Sequence, residues 1–160
     1  LPVVVDTSPC TYGVKASRPN LTPENQERFD RLTILDGVQF THDALLPRLE
    51  AKRMAGPVAL HPVCSVTKMN LGAKLEGIAR FCSDDVTVPL SAGCCAFAGD
   101  RGFLHPELTA SATKHEAAEV KAKGCAEHLS SSRTCEIGMT RATGEVYRSY
   151  MFLLERVTRD

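Results

Sequence analysis

The sequence has no run approaching the roughly 18 apolar residues that a membrane-spanning helix needs. Neither sign of charge dominates. Its 19 basic and 19 acidic side chains cancel, so it lacks the basic excess of a dedicated nucleic-acid binder. Low-complexity tracts are missing, and a hydrophobic content of 43% excludes a disordered chain. The glycine-flanked stretch from Gly93 to Gly99 has neither the GxGxxG spacing nor a Walker lysine, so it is not a phosphate-binding fingerprint. The apolar opening, Leu1 to Val5, has no basic flank and stops at Asp6, so it does not read as a secretory signal. It reads as a core strand in a chain that begins with Leu rather than Met. The expectation is a piece of a longer protein.

At 160 residues the chain suits one domain with a core of its own. Four short apolar runs read as strands: residues 1–6, 56–61, 85–90 and, on spacing more than composition, 126–131. Runs of this kind suit strands covered on both faces. Between them lie helical patterns. Thr22-Pro23-Glu24 orders an N-cap, a first-turn proline and an acid. Thr41 caps a predicted helix to about Met54, with Gly56 just beyond. Residues 67–80 carry Met69, Leu71, Leu75 and Ile78 at helical spacing. Pro106 opens a long helix that stops at Gly124, and residues 146–157 form the last one. Residues 32–40 fit either strand or helix. Strands alternating with helices predict a three-layer α/β/α fold around a mainly parallel sheet of about four strands.

Seven cysteines are the compositional excess. Their odd number, the adjacency of Cys94 and Cys95 and the lack of a signal sequence argue against a disulfide framework. They point instead to thiols used for metal or redox chemistry in a reducing compartment. On the strand map Cys10 follows Asp6, Cys64 follows His61, Cys94 and Cys95 follow Leu90, and Cys135 follows the fourth strand. All five therefore fall at the carboxyl edge of the sheet, where open parallel sheets bind ligands. Cys82 and Cys125 lie on or beside helices and read as small hydrophobes.

A sulfur-lined mouth suits zinc or an iron–sulfur cluster, and nearby helix N-termini favour thiolates. Inert buried thiols are the alternative. Adjacent side chains diverge, so Cys94 and Cys95 cannot both serve one small ion without strain, whereas a cluster offers each its own iron. A cluster is therefore preferred to a single zinc. Gly93 and Gly99 leave the backbone free to bend around it.

Other residues carry weaker signals. His61 can be a ligand or an acid–base group. Since nothing in the spacing pairs it with a base, the adopted reading is a satisfied histidine at a strand end, in the second shell of the site or in contact with substrate. Arg101 can bind a carboxylate substrate or offset clustered thiolates, or be only an exposed turn residue. Glu136 and Arg133 flank Cys135 at the same mouth. His42-Asp43 reads as a first helical turn, and the alternating charges from Lys114 to Lys123 read as a solvated face. No residue is assigned as catalytic.

Three segments bring a family into view: His61-Pro-Val-Cys64, then Gly93-Cys-Cys-Ala-Phe-Ala-Gly-Asp-Arg-Gly-Phe103, then Ser132-Arg-Thr-Cys135-Glu-Ile-Gly. Together they resemble the cysteine-rich CCG domain, whose pattern is one Cys, a Cys-Cys-Gly about thirty residues on, and a final Cys-x-x-Cys. The domain occurs in heterodisulfide reductase subunits and in the iron–sulfur parts of glycolate- and lactate-oxidising enzymes. The flanks, Cys95 to Glu107 and Ser130 to Thr143, are most similar to the C-terminal end of FAD-linked iron–sulfur D-lactate dehydrogenases.

Residues 56–160 then look like one CCG repeat and residues 1–13 like the tail of a preceding one. The pattern is broken at Ala96, where the motif has Gly, and at Ser132, where it has the first Cys of the final pair. Thr7 stands at the matching position before Cys10.

The resemblance implies a redox domain in which Cys64, Cys94, Cys95 and Cys135, with Cys10 nearby, hold an iron–sulfur centre or alternatively zinc. FAD would sit elsewhere in the full-length protein, since these residues hold no flavin motif. The implied partners are flavin and ferredoxin-like domains of the same polypeptide and a quinone or other electron acceptor. The implied location is cytoplasmic, with peripheral attachment at the inner membrane face. Two further readings are a zinc-bound or metal-free docking module and a heterodisulfide-reductase-like thiol catalyst using Cys94 and Cys95. The isolated chain is not expected to turn over lactate.

Overall fold

The computed structural model of the chain describes residues 1–159, and it is an α/β protein built on parallel strands. The valine-rich start forms β1 (Val3–Val5), followed by α1 (Ser8–Ala16) and α2 (Pro23–Asp30), with Pro23 in the first turn of α2. The ambiguous stretch is both things in succession, β2 (Ile34–Asp36) and then α3 (Gly37–Phe40). Asp36 makes the switch. It is fully buried, and its carboxylate accepts the Val38 N–H at 2.9 Å and the Ser8 hydroxyl at 3.1 Å. That N-cap satisfies one of the open amides of the helix start.

Thr41 is therefore inside the helical run rather than capping it. The run widens into a π turn over Thr41–Leu45, tightens over Leu46–Arg48 and ends there, well short of Met54. Pro47 has no N–H with which to continue the ladder.

The main sheet begins with β3 (Val58–Leu60), all of it buried. The helix expected over 67–80 starts earlier and is split into α4 (Cys64–Lys68) and α5 (Gly72–Cys82), because Asn70 turns left-handed at φ +58°. Next come β4 (Val86–Thr87), the short α6 (Arg101–Leu104), α7 (Pro106–Ala112) and α8 (Lys114–Lys123). The last two are nearly continuous, bent at Thr113, whose hydroxyl bonds back to the Thr109 carbonyl at 2.7 Å. Gly124, left-handed at φ +63°, stops α8 as its position predicts.

After β5 (Glu127–Ser130) and α9 (Arg133–Thr143), the stretch expected to be wholly helical opens with a strand, β6 (Tyr147–Ser149). The chain then enters α10 (Tyr150–Thr158), capped by Ser149.

Four parallel strands in the order β4-β3-β5-β6 form the main sheet, in register Val58↔Val86, Leu60↔Leu129 and Leu129↔Arg148. The first strand is not among them. β1 pairs only with β2, in a separate two-stranded parallel sheet, and β6 takes the fourth place in the main one. Right-handed crossovers put α5 and α10, which pack together, on one face and α8 with α9 on the other. The core runs through Val58, Leu60, Val66, Leu75, Ile78, Leu129, Leu153 and Val157. Among the described residues no helix is long and apolar enough to cross a membrane.

Chain direction reverses between β3 and β5. From β3 the chain moves outward to β4, then returns to the other side for β5 and β6. The connections that follow β3 and β5 leave toward opposite faces at such a reversal, opening a crevice beyond the carboxyl ends that the fold class uses for ligands.

Candidate metal centre

Three segments end at that crevice. His61 directly follows β3, its N–H donating to the Leu129 carbonyl of β5 at 2.9 Å. Cys64 is the first residue of α4, and Cys135 lies in the first turn of α9. Cys94 and Cys95 come from the long loop between β4 and α6. The vicinal pair diverges as expected for successive side chains. Cys95 is buried, with its Sγ 3.2 Å from that of buried Cys135, while Cys94 is exposed and interacts with exposed Cys64.

The backbone around the pair explains its fixed orientation. Ala96 and Ala98 are both left-handed, at φ +55° and +44°, and they fold Phe97 back into the core. The turn brings the Ala96 N–H to 3.4 Å from the Cys94 sulfur and the Phe97 N–H onto that of Cys95.

These contacts set the proton inventory. Cys95 and Cys135 perturb each other through their 3.2 Å sulfur contact, Cys95 downward and Cys135 upward. The hydrogen bond between the two sulfurs, opposed by burial but joined by His61 and the Phe97 amide, pulls Cys95 down to about 4. The same bond, with burial and the charges of the neighbouring sulfurs, pushes Cys135 far up. Burial also raises Cys64, as do the sulfurs of Cys94 and Cys95, while the Ser65 N–H pulls the other way. Cys64, Cys95 and Cys135 are thus each perturbed by neighbouring sulfurs.

Cys10 has no part in these interactions. It is exposed on α1, beyond the smaller sheet, although α1 packs against α4. The interacting sulfurs at the crevice are therefore those of Cys64, Cys94, Cys95 and Cys135. Cys82 is buried in the core, as expected of a small hydrophobe, and burial pushes it up to about 11.

His61 is more than a satisfied strand-end residue. It is fully buried, and its Nδ1 lies 2.7 Å from Oε1 of Glu116, itself buried. Burial lowers its basicity, but Cys95 and Glu116 outweigh that and lift His61 to about 9. One ring nitrogen of His61 lies with the sulfurs of Cys95 and Cys135 inside a group whose atoms are all within 4.8 Å of one another. A buried His/Cys/Cys group of this kind can hold a metal ion.

Glu116 is the residue the sequence pattern hides. It belongs to the alternating-charge helix α8, whose Glu116, Ala117 and Val120 face inward. Glu136 is also buried, accepting from exposed Arg133 at 3.0 Å. Arg101 is exposed on α6. The arginine that packs behind the pair is Arg141. Its guanidinium lies 5.7 Å from the Phe97 ring centre and 5.1 Å from that of Phe103, and it donates to the Gly102 carbonyl at 3.1 Å. Ser132 is buried and lies 3.3 Å from the Thr134 hydroxyl. No family model and no curated protein matches this chain.

Proposed function

We propose that the chain is the cysteine-rich electron-transfer domain of a larger FAD-linked D-2-hydroxy-acid dehydrogenase, with D-lactate as the substrate the CCG resemblance implies. Its centre is an iron–sulfur cluster held by Cys64, Cys94, Cys95 and Cys135. The observation that carries this reading is the convergence of these four thiols, from three separate segments, on the switch-point crevice.

The residues fit such a group. Thiolates are its preferred ligands, Cys135, with His61 and the Phe97 amide, favours Cys95 as a thiolate, and the divergence of Cys94 from Cys95 suits an object larger than one ion. When bound, a cluster of this kind passes single electrons. Cys64, Cys94, Cys95 and Cys135 would hold it, and the burial of Cys95 keeps its charge away from bulk water. Electrons would arrive from a flavin domain of the same polypeptide and leave toward a quinone or other acceptor. Alone, the chain should not oxidise lactate.

One observation favours a second reading. Cys95 and Cys135, with one thiolate and one thiol 3.2 Å apart, are poised to form a disulfide, passing two electrons to the acceptor and releasing one proton. That dithiol differs from the vicinal pair expected from the sequence.

Anaerobic purification followed by iron, sulfide and zinc analysis with a visible spectrum separates these readings. Near-stoichiometric iron and sulfide with a broad visible band is the expected result. In the full polypeptide, D-lactate should then bleach that band. One zinc without colour would make the chain a docking module, and no metal with two thiols lost on mild oxidation would favour the dithiol.

A further inference from the structure

We infer that His61 is itself a metal ligand, through Nε2, and that Glu116 is the residue positioning it, so that a ring nitrogen supplies the donor Ser132 does not. This deepens the metal-centre reading above and rests on it.

The geometry runs in three steps. Nδ1 of His61 is committed to Glu116 at 2.7 Å, with both side chains at 2% exposure or less. That leaves Nε2, which is buried and has no hydrogen-bond partner. An orphaned buried polar atom of this kind is costly to leave unsatisfied, and a metal bond at that atom removes the cost. Finally, the free nitrogen shares its surroundings with two sulfurs from different segments, Cys95 and Cys135, all three donor atoms within 4.8 Å.

A carboxylate on the far nitrogen of a buried histidine is the arrangement by which proteins fix the tautomer and aim the ring of a metal-bound imidazole. The histidine backbone is fixed as well, since its carbonyl accepts from Ser130 Oγ at 3.4 Å and its N–H is bonded to β5. Ser132 is buried nearby but lies at hydrogen-bonding distance from the Thr134 hydroxyl, so nitrogen is the donor the crevice offers in place of a fifth sulfur. The metal class is thiophilic with tolerance for imidazole, meaning iron or zinc rather than calcium or magnesium.

The test uses cobalt(II) added to the reduced, metal-free chain, because cobalt reports sulfur ligands by absorption and nitrogen ligands by pulsed EPR. Wild type is expected to show cobalt–thiolate charge-transfer bands and a nitrogen hyperfine coupling that changes when histidine is labelled with ¹⁵N. His61→Ala should keep the thiolate bands, lose the nitrogen coupling and bind cobalt at least tenfold more weakly. Glu116→Gln should keep the coupling and weaken binding by about 10–100-fold. His61→Cys should recover affinity with stronger thiolate bands and no nitrogen coupling.

Circular dichroism checks folding. If His61→Ala does not fold, the other two variants decide. Thiolate bands without a ¹⁵N-sensitive coupling, with unchanged affinity in Glu116→Gln, would overturn this inference and leave the metal centre standing. No thiolate band at all in wild type would overturn both.

Discussion

Ala96 and Ala98 hold backbone conformations that favour glycine, each at a cost of about 1–2 kcal/mol. The turn is worth that cost because it drives Cys95 and Phe97 inward while leaving Cys94 at the surface. Ala96→Gly relieves the strain at the position where the CCG pattern carries glycine. It gives back part of the gain through the extra freedom of the unfolded chain. The expected net gain is about 0.5–1 kcal/mol, visible as a melting temperature about 1–4 °C higher. A lower melting temperature would mean the alanine is unstrained.

Gly102 has the opposite constraint. A Cβ there would sit 2.5 Å from the ring of Phe97, which is fully buried and edge-stacked on Phe103 at 4.9 Å. Gly102→Ala should cost about 1–3 kcal/mol by overpacking and weaken metal binding by shifting the Phe97 amide off Cys95. Denaturant melts and a cobalt titration measure the two effects separately.

Cysteine chemistry was readable at this scale because thiols are distinctive and their places after strands could be counted. Glu116 was not readable. An acid on a helix of alternating charge looks solvated, and only the packing of α8 against its neighbours decides that this one faces a histidine.

Several elements with local signals matched the sequence expectation, but the helix expected from Thr41 to Met54 and the strands decided by pairing did not. The run of valines, the buried run before His61 and the glycine stop at Gly124 all stand where sequence puts them. β2 and β6 do not announce themselves, because each is three residues long and runs straight into a helix with a similar apolar pattern. Without β6 in view, the first strand was the natural candidate for the fourth place in the sheet. Only hydrogen-bond pairing shows that it belongs with β2 instead.

β5 also carries a pH liability. His128 is buried, its ring 5.2 Å from that of Tyr147 on β6, and burial, opposed by Glu145 and Glu127, lowers its basicity below the ordinary 6.5. A histidine with a lowered folded-state value binds its proton more readily when unfolded. Below pH 6.5 the unfolded chain therefore takes up more protons, and stability falls as pH drops. His128→Phe should reduce that loss between pH 6.5 and 5 while leaving the melting temperature near pH 8 within about 1–3 °C of wild type. An unchanged acid profile would assign the loss to other groups.

For the whole molecule, the site joins regions that the chain alone keeps far apart: the end of β3, the loop after β4, the start of α9 and the inner face of α8. A ligand that binds only when these meet stabilises the entire fold by mass action, about 2.7 kcal/mol at a hundredfold excess over its dissociation constant. Chelation of the metal-loaded chain should accordingly lower its melting temperature by several degrees.

Thiol modification maps which cysteines share that linkage. In the metal-free chain, iodoacetamide should modify exposed Cys10, Cys64 and Cys94 first and spare Cys82, which is 1% exposed with its thiol pushed up to about 11. Metal should then protect Cys64 and Cys94 but leave Cys10 reactive, because Cys10 stands on α1 outside the group of interacting sulfurs. Mass spectrometry of the alkylated peptides reads each position separately. Protection of Cys10 together with the others would draw α1 and the small sheet into the centre. Equal reactivity of all three exposed cysteines with and without metal would restrict the bound ion to the buried group of His61, Cys95 and Cys135.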